Sequence, residues 1–203
     1  MISAVSQPKY RPLARAATTK PPEAGPTESF QAGAPDPGLM PRPSFDTREF
    51  RNAMGRFATG VAVITVGDDQ QRGGMTVNSL TSLSLDPPLL LFCPKNESAT
   101  LDLVKEHGTF AVNLLSADQA DLCGQFAGKV EGDKFNGVAA HAGPVTGTPL
   151  LDGSLASVEC QLEAIHPGGD HAIVVGRVVG FETSQPQEPL LFWNGKVQQS
   201  HWT

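Results

Sequence analysis

Short runs of β-branched and other apolar residues, separated by turn-forming residues, recur between residues 61 and 193. They occupy residues 61–66, 89–93, 110–115, 155–164, 171–181 and 189–193. In the fourth run, Ala156, Val158, Cys160, Leu162 and Ala164 alternate with polar residues, as in a strand that buries one face. Turns rather than a regular succession of crossover helices join the runs, so we expect six or seven mostly antiparallel strands.

The segment before the first run has the features of a short helix. Asp46 and Glu49 have the spacing of a capping box, and Phe45 and Phe50 have that of the hydrophobic staple around it. Apolar residues then follow at helical spacing, which predicts a helix over residues 47–57.

Two further short helices are predicted between the strands. Ser98 can cap one of them, and Ser116 with Gln119 repeats the capping-box spacing. A loop is expected at residues 67–74, and residues 127–149 are glycine-rich without a regular pattern. This combination predicts a mainly β fold with short α-helices, arranged as a closed or nearly closed barrel. No G-x-G-x-x-G opens a helix after a strand, so a Rossmann dinucleotide site is not indicated.

Residues 1–43 differ in composition from the rest of the chain. Nine of the 17 prolines fall there, and the segment shows no hydrophobic periodicity. We therefore expect a disordered, solvated tail, followed by one folded domain over residues 44–203. The early basic residues resemble those of a transit peptide, but Pro8 and Pro12 would break the amphipathic helix that such a peptide needs.

Charge and cysteine usage argue against several classes of protein. Five of the 15 Lys and Arg and three of the 21 Asp and Glu precede residue 44, which leaves the remainder strongly acidic. That balance disfavours nucleic-acid binding, and no apolar run is long enough to span a bilayer. Cys93, Cys123 and Cys160 form no C-x-x-C pair, which predicts reduced thiols in the cytoplasm. The five histidines lack zinc-ligand spacing, so no metal site is expected.

Residues 73–88 combine small polar side chains with neighbours that have the pattern of a core. Hydroxyl and amide groups stand at Thr76, Asn78, Ser79, Thr81, Ser82 and Ser84. Such side chains leave the backbone accessible to a ligand and add short hydrogen-bond donors, so the stretch is a candidate binding wall. Taken alone, this stretch is better explained as an exposed β surface than as a binding wall. The prolines at 87 and 88 and the apolar run that follows them argue against an exposed edge.

Four motifs in a common order resemble the short-chain flavin reductase family, the small reductase components of two-component flavin monooxygenases. They are Phe-Arg-Asn-Ala-Met-Gly-Arg-Phe-Ala-Thr-Gly-Val at 50–61, the polar stretch at 74–88, Gly-Asp-His at 169–171 followed by Gly-Arg-Val at 176–178, and Pro-Leu-Leu-Phe-Trp-Asn-Gly-Lys at 189–196. The resemblance spans residues 45–196. It implies an FMN-binding split β-barrel, a homodimer, FMN or FAD as cofactor, and NADH or NADPH as hydride donor.

The resemblance also implies which residues bind the cofactor. Those expected to hold the ribityl chain, phosphate and pyrimidine side of the flavin are Thr76, Val77, Asn78, Ser79, Leu80, Ser82 and Leu83. Those expected at the ring edge and the phosphate end are Cys93, Pro94, Lys95, Ser98, Ala99 and Thr100, while the flavin tail would be held by Lys134 and Phe135. His171 would contact the nicotinamide or the flavin ring.

The chemistry of these residues agrees with the implied roles. Ser98 and Thr100 near a helix start supply hydroxyls where backbone N–H groups are also free, and Lys134 can add a compact positive charge. Three of the candidates also have an ordinary structural explanation. His171 can be a solvated turn residue, Lys134 a surface lysine, and Cys93 a packed small residue.

The sequence therefore predicts an NAD(P)H:flavin oxidoreductase whose reduced flavin leaves for a separate monooxygenase. Hydride transfer requires alignment of two cofactors rather than a nucleophile–base pair, and no such pair is evident. Two alternatives stay open: a split-barrel protein that binds FMN without reductase activity, and an oxidase of a phosphorylated vitamin. One departure from the family is Val197, where a second aromatic residue is common.

Overall fold

The computed structural model describes residues 11–12, 45–128, 132–185 and 187–199. Its helices are α1 (Thr47–Met54), α2 (Ala99–His107) and α3 (Ala120–Ala127), with a 3₁₀ turn at Ala117–Gln119. Its strands are β1 (Arg11–Pro12), β2 (Thr59–Gly60), β3 (Ala62–Gly67), β4 (Arg72–Val77), β5 (Thr81–Leu85), β6 (Pro88–Phe92), β7 (Thr109–Leu114), β8 (Ala140–Ala142), β9 (Pro149–Leu151), β10 (Ala156–Gly168), β11 (His171–Thr183), β12 (Leu190–Trp193) and β13 (Lys196–Gln199). The predicted class, mainly β with short helices, is confirmed. Across the described ranges, every helix is too short or too polar to cross a membrane.

Within the described ranges, the main sheet is antiparallel and has eight strands, of which seven follow the order β4-β3-β7-β10-β11-β6-β5, while β1 pairs with β11 off this path. β4 and β5 therefore lie at opposite edges of the sheet, yet only residues 78–80 connect them. Such a short connection spans no more than about 14 Å. The sheet must consequently curl until its two edges come close, which gives a barrel that is split between β4 and β5.

The barrel interior is filled by side chains from the sheet and from α2. The largest cluster includes Ile64, Val66, Phe92, Leu101, Val104, Phe110, Val112 and Val174. The rings of Phe92 and Phe110 meet edge to face, with their centroids 5.3 Å apart. A Cβ atom on Gly176 would strike the Phe110 ring, so this position of β11 requires glycine.

The hairpin between β3 and β4 is tighter than the sequence predicts. The Asp68 side chain accepts two backbone N–H groups of the turn, and β4 already includes Gly73 and Gly74, which were expected in the loop. Cβ atoms at these two positions would strike Leu103 and the ring of Phe126, respectively. The glycines thus allow α2 and α3 to pack against the strand, which explains why the Gly-Gly pair does not form the turn.

The stretch at 127–149 is more regular than predicted, because β8 within it pairs with β9 in a short hairpin. Asn113, fully buried on β7, anchors β9: its Oδ1 accepts both the Leu151 N–H and the Ser157 hydroxyl at 2.9 Å. Glu159 accepts backbone N–H groups from the loop between β8 and β9. Polar residues on the second face of β10 are therefore buried under this hairpin.

α1 lies on the surface and buries none of its side chains. Asp46 caps it by accepting the Arg48 N–H at 2.7 Å, and the helix ends three residues before its predicted end. Phe45 and Phe50 form the predicted staple, with ring centroids 5.4 Å apart. These two rings and that of Phe57 are more than half exposed, so an apolar surface is left uncovered.

The two other predicted helix starts are confirmed. The Ser98 Oγ accepts the Leu101 N–H at 3.4 Å, and Gly108 ends α2 in the left-handed conformation with a φ of 67°. Ser116 and Gln119 form the predicted capping box. This box opens the 3₁₀ turn, from which α3 continues.

Arg11–Pro12 forms β1, which pairs with Phe181 and Gly180 of β11. The rest of the predicted tail, residues 1–10 and 13–43, lies outside the described residues. Its disorder and the domain boundary at residue 44 stay predictions.

Candidate active site

Beside β4 lies a cavity of about 1080 Å³. β4 forms one wall, the first turn of α2 a second, and the segments around residues 127 and 133 a third. The lining consists of Arg72, Gly73, Gly74, Met75, Thr76, Val77, Asn78, Ser79, Cys93, Lys95, Glu97, Ser98, Ala99, Thr100, Leu103, Phe126, Ala127, Gly128, Gly132, Asp133, Lys134 and His171. Its volume is at the upper end of the usual range of ligand sites, about 300–1,000 Å³.

Two hydroxyls of the polar stretch, those of Thr76 and Ser79, are engaged by the protein itself. Ser79 accepts the Cys93 N–H through its Oγ at 3.0 Å and donates to the Cys93 carbonyl at 3.4 Å. Thr76 donates to the carbonyl of Cys123 at 2.8 Å. Ser79 thereby fixes the end of the β4 wall against the loop after β6, which carries Cys93, and Thr76 fixes β4 against α3.

The first turn of α2 presents backbone N–H groups to the cavity. Ser98 caps the helix through the Leu101 N–H and also contacts the Met75 sulfur at 3.7 Å, which places the helix start against β4. The N–H groups of Ala99 and Thr100 belong to the first turn, so they have no acceptor within the helix. An anion in the cavity would be stabilised by these groups and by the helix dipole.

Lys134 brings a positive charge to the third wall. Its Nζ donates to the carbonyl oxygens of Gly74 at 3.2 Å and of Phe126 at 3.0 Å, so it joins β4 to the end of α3. Burial of the ammonium group lowers the pKa of Lys134. The segment itself is held by Gln125, whose side-chain amide donates to the Lys134 carbonyl at 2.7 Å.

Arg72 supplies a second cation at the start of β4. Its Nη2 donates to Asp133 Oδ2 at 2.7 Å, and its Cζ lies 4.6 Å from the centre of the Phe135 ring. The hydrogen bond from Arg72, together with the Phe135 N–H, holds the pKa of Asp133 below its usual value. Phe135 is buried and packs edge to face on Phe126, so the whole wall is anchored in the core.

His171 forms an isolated β-bridge with Lys95, so it lies at the end of the cavity near Cys93, whereas Arg72 stands at the start of β4. The Nδ1 atom of His171 is 2.8 Å from Asp170 Oδ1, and this hydrogen bond lowers the pKa of the Asp170 carboxyl. The two-residue turn before His171 is bound to the loop after β6, because Asn96 donates to the carbonyls of Asp170 and Gly169 at 3.1 and 2.9 Å. The imidazole is therefore set against the loop that carries Cys93.

The structure brings most of the predicted site residues together. Eleven line the cavity: Thr76, Val77, Asn78, Ser79, Cys93, Lys95, Ser98, Ala99, Thr100, Lys134 and His171. Five do not: Leu80, Ser82, Leu83, Pro94 and Phe135. Leu80 packs against the core, Ser82 and Leu83 are exposed on β5, the buried Pro94 accepts a backbone N–H, and Phe135 lies in the second core cluster.

Sequence reasoning missed several lining residues, of which Arg72, Glu97 and Asp133 carry charge. Arg72 was placed in a loop, because the Gly-Gly pair after it has the pattern of a turn. Asp133 precedes Lys134 in an Asp-Lys-Phe motif that was considered for its lysine and phenylalanine. The available signal was charge complementarity. Asp133 is acidic and lies in the motif predicted to hold the flavin tail, whereas Arg72 is basic and precedes the predicted binding wall.

The sequence profile described as flavin reductase like domain matches residues 54–201, which is most of the chain. The chain belongs to the flavin reductase like domain family. The family resemblance predicted from the four motifs is therefore confirmed, and so is the split-barrel class that it implies.

Members of this family with assigned names are similar to the chain over most of its length. It is 40% identical over 159 residues to the reductase subunit HsaB of a flavin-dependent monooxygenase from Rhodococcus jostii, covering 78% of this chain and 80% of HsaB. It is 40% identical over 150 residues to the FMN reductase (NADH) SmoA of Agrobacterium fabrum, covering 74% and 84%. The solved structure of the Streptomyces globisporus NADH:FAD oxidoreductase SgcE6, in complex with NAD and FAD fragments, matches with a TM-score of 0.73 at 36% identity, covering 77% and 93%.

Proposed function

We propose that this protein is a flavin reductase that uses NADH to reduce FMN or FAD. The observation that carries the proposal is one cavity that combines the start of α2 and Lys134 as phosphate donors with His171 at a separate end. Relatives named FMN reductase (NADH) and NADH:FAD oxidoreductase support the hydride donor and both acceptors.

The residues present fit a flavin. The cavity is large enough for a dinucleotide, and its unpaired helix N–H groups and its lysine suit a phosphate. When bound, a flavin supplies the redox chemistry, because its ring takes up a hydride from NADH and later passes the electrons on. The protein has to bind and orient the two partners.

Each wall then has a role. Ser98, Ala99 and Thr100 bind the phosphate through the start of α2, and Lys134 neutralises its charge. The backbone of residues 76–79 holds the ribityl chain and the pyrimidine side. The hydroxyls of Thr76 and Ser79 fix the wall rather than donate to the ligand, because both are already engaged.

Cys93 and Lys95 would hold the edge of the flavin ring, and His171 would position the nicotinamide. Because Nδ1 of the imidazole is hydrogen-bonded to Asp170, Nε2 is the nitrogen left for the carboxamide of the nicotinamide. Asp170 and the turn bound to Asn96 hold the imidazole in place. Correct orientation of two reactants is itself a large part of a rate enhancement, which is the contribution assigned to His171.

We further propose that reduced flavin leaves this protein for a separate monooxygenase. HsaB is named as a reductase subunit of such an enzyme. Several polar groups of the cavity are already bonded within the protein, so a ligand gains few hydrogen bonds from them and its binding stays exchangeable. Flavin that survives extensive dialysis and does not exchange with added flavin would contradict this role.

Steady-state oxidation of NADH and of NADPH, each with FMN, FAD and riboflavin, tests the activity. We expect flavin-dependent oxidation that is faster with NADH. Flavin binding without oxidation of either nicotinamide would favour an FMN-binding protein without reductase activity. Oxygen-dependent turnover of a phosphorylated vitamin without any nicotinamide would favour an oxidase.

We also propose a homodimer that uses the uncovered surface of α1. Phe45, Phe50 and Phe57 are 57%, 54% and 70% exposed, and grouped apolar side chains of this size mark an interface. Light scattering should give twice the chain mass, and a Phe50→Asp, Phe57→Asp variant should give one chain mass. A monomeric wild-type protein would overturn the proposal.

We propose a cytoplasmic location, without a membrane or nucleic-acid partner. Cys93, Cys123 and Cys160 are free thiols, as expected in a reducing compartment. The formal net charge of −6 disfavours contact with nucleic acid. Detection of the protein mainly in a membrane or extracellular fraction of cells would contradict this location.

A further inference from the structure

The contacts of β4 give the cavity an order along its length. Ser79 lies at the end formed by Cys93, whereas Gly74 lies beside Lys134, one of the phosphate donors. Arg72 stands beyond Gly74 at the start of the strand. At a rise of about 3.3 Å per residue, up to about 17 Å of chain separates Ser79 from Gly74, and about 7 Å more separates Gly74 from Arg72.

The guanidinium of Arg72 is held at this far end without being buried. It donates to Asp133 at 2.7 Å and stacks on Phe135, while its side chain stays 32% exposed. Among the residues that the structure describes, Asp133 is its hydrogen-bond acceptor. Because a guanidinium carries five N–H donors in a rigid fork, most of them remain available to a ligand.

The position of Arg72 suits a second phosphate. FMN carries one phosphate, to which the start of α2 and Lys134 are assigned, whereas FAD carries a second phosphate joined to the first and then adenosine. Arg72 shares a face of β4 with Gly74, so it is the next cation along the wall. Arginine forks bind phosphate oxygens in bidentate geometry, which a lysine cannot do.

We propose that Arg72 binds the second phosphate of FAD and that the Asp133 carboxylate competes with this phosphate for the guanidinium. The Arg72–Asp133 pair thereby sets the preference of the site between FAD and FMN. This inference rests on the proposed function, because it requires a flavin in the cavity beside β4.

Because of this competition, removing the guanidinium of Arg72 and removing the charge of Asp133 should have opposite effects on the affinity for FAD. Loss of the guanidinium removes a charge-assisted hydrogen bond that FAD makes and FMN does not. Loss of the carboxylate charge frees the guanidinium and removes a repulsion toward the second phosphate. A purely structural ion pair would behave differently, since breaking it from either side would disturb the wall in the same direction.

Calorimetric titration of the full chain with FAD and with FMN tests the inference. The variants are Arg72→Gln and Asp133→Asn, with Lys105→Gln as the matched control. Lys105 pairs with Asp102 on the exposed side of α2, so its replacement removes the same charge outside the cavity. We expect Arg72→Gln to raise the Kd for FAD about tenfold more than that for FMN. We expect Asp133→Asn to lower the ratio of the two Kd values in favour of FAD, and Lys105→Gln to leave it at the wild-type value.

If either Arg72→Gln or Asp133→Asn weakened the binding of FAD and of FMN equally, the inference would be overturned. The ion pair would then only support the wall of the cavity. A wild-type protein that binds neither flavin would overturn the proposed function instead, so the two failures are distinguishable. Thermal unfolding followed by circular dichroism checks that each variant folds. Arg72→Lys provides a second variant that keeps the charge without the fork, and we expect it to lose FAD affinity relative to FMN as well.

Discussion

The Nζ atom of Lys134 lies 3.2 Å from the carbonyl oxygen of Gly74, so a loop cation is fixed against the strand that lines the cavity. A second bond to the carbonyl of Phe126 completes its support. The position of the charge is therefore determined by backbone atoms before any ligand enters, and a phosphate that meets it need not order a mobile side chain.

Replacing Lys134 with Gln should weaken FMN binding selectively. Because the ammonium group neutralises the phosphate, we expect the Kd for FMN to rise about tenfold. The Kd for riboflavin, which lacks the phosphate, should change less than twofold. Fluorescence titration measures both values, with Lys105→Gln as the control. A similar loss for both ligands would show that Lys134 acts only on the structure of the wall.

Replacing His171 with Ala should impair the use of NADH more than flavin binding. Loss of an orienting contact to the nicotinamide should lower kcat/KM for NADH by roughly tenfold or more. Stopped-flow and steady-state kinetics measure this effect. The matched control is His166→Ala, an exposed histidine on the same hairpin, which should retain wild-type kinetics. Unchanged NADH kinetics in the His171 variant would remove this residue from the site.

Two glycines near the cavity should respond in opposite directions to Ala. A Cβ on Gly74 would lie 2.8 Å from the Phe126 ring, so Gly74→Ala should lower the free energy of unfolding by about 1–3 kcal/mol. Gly124 on α3 has open space around it, so Gly124→Ala should raise that energy by up to about 1 kcal/mol. Urea denaturation measures both. A stable Gly74→Ala variant would show that α3 can move away from β4.

The imidazole of His141 should make stability depend on pH. Its Nδ1 lies 2.7 Å from Asp152 and its Nε2 lies 3.3 Å from Glu182. Burial opposes protonation, but the hydrogen bond to Asp152 and the charge of Glu182 outweigh it, so the pKa of His141 is raised above 6.5. A histidine whose pKa is raised in the folded state stabilises the fold. This stabilisation is fully present below the pKa of the unfolded state, and it is lost as the pH rises through the pKa of the folded state.

The free energy of unfolding should consequently fall more steeply above pH 6.5 in the wild type than in His141→Gln. Denaturation series at several pH values measure the difference, with His166→Gln as the control. Parallel profiles for the wild type and His141→Gln would exclude this ring as the source of the dependence.

Local signals predicted the parts of the site that depend on neighbours in sequence. Ser98 was recognised as a helix cap because the cap, the helix and Gly108 lie within a dozen residues. The Ser116–Gln119 box was recognised for the same reason. The turns between the apolar runs were sufficient to predict a mainly antiparallel barrel, and the resemblance of the four motifs implied the split-barrel class.

Contacts between distant residues could not be predicted in this way. The partner of Arg72 lies 61 positions away, and its place in a strand depends on how Leu103 and Phe126 pack against Gly73 and Gly74. Phe135 was expected at the flavin tail but packs in the core, because the Asp-Lys-Phe motif turns its three side chains to different surroundings. Periodicity within the motif is too short to reveal that turn.

β4 has a neighbouring strand on one side only among the described residues, so it is an edge that a strand of another protein molecule can extend. Lys134 occupies one of its carbonyls and places a charge beside it. Charged groups at such edges are a common protection against intermolecular pairing. The lysine assigned to the phosphate therefore also places a charge at the β4 edge, which disfavours pairing with a strand of another molecule when the cavity is empty.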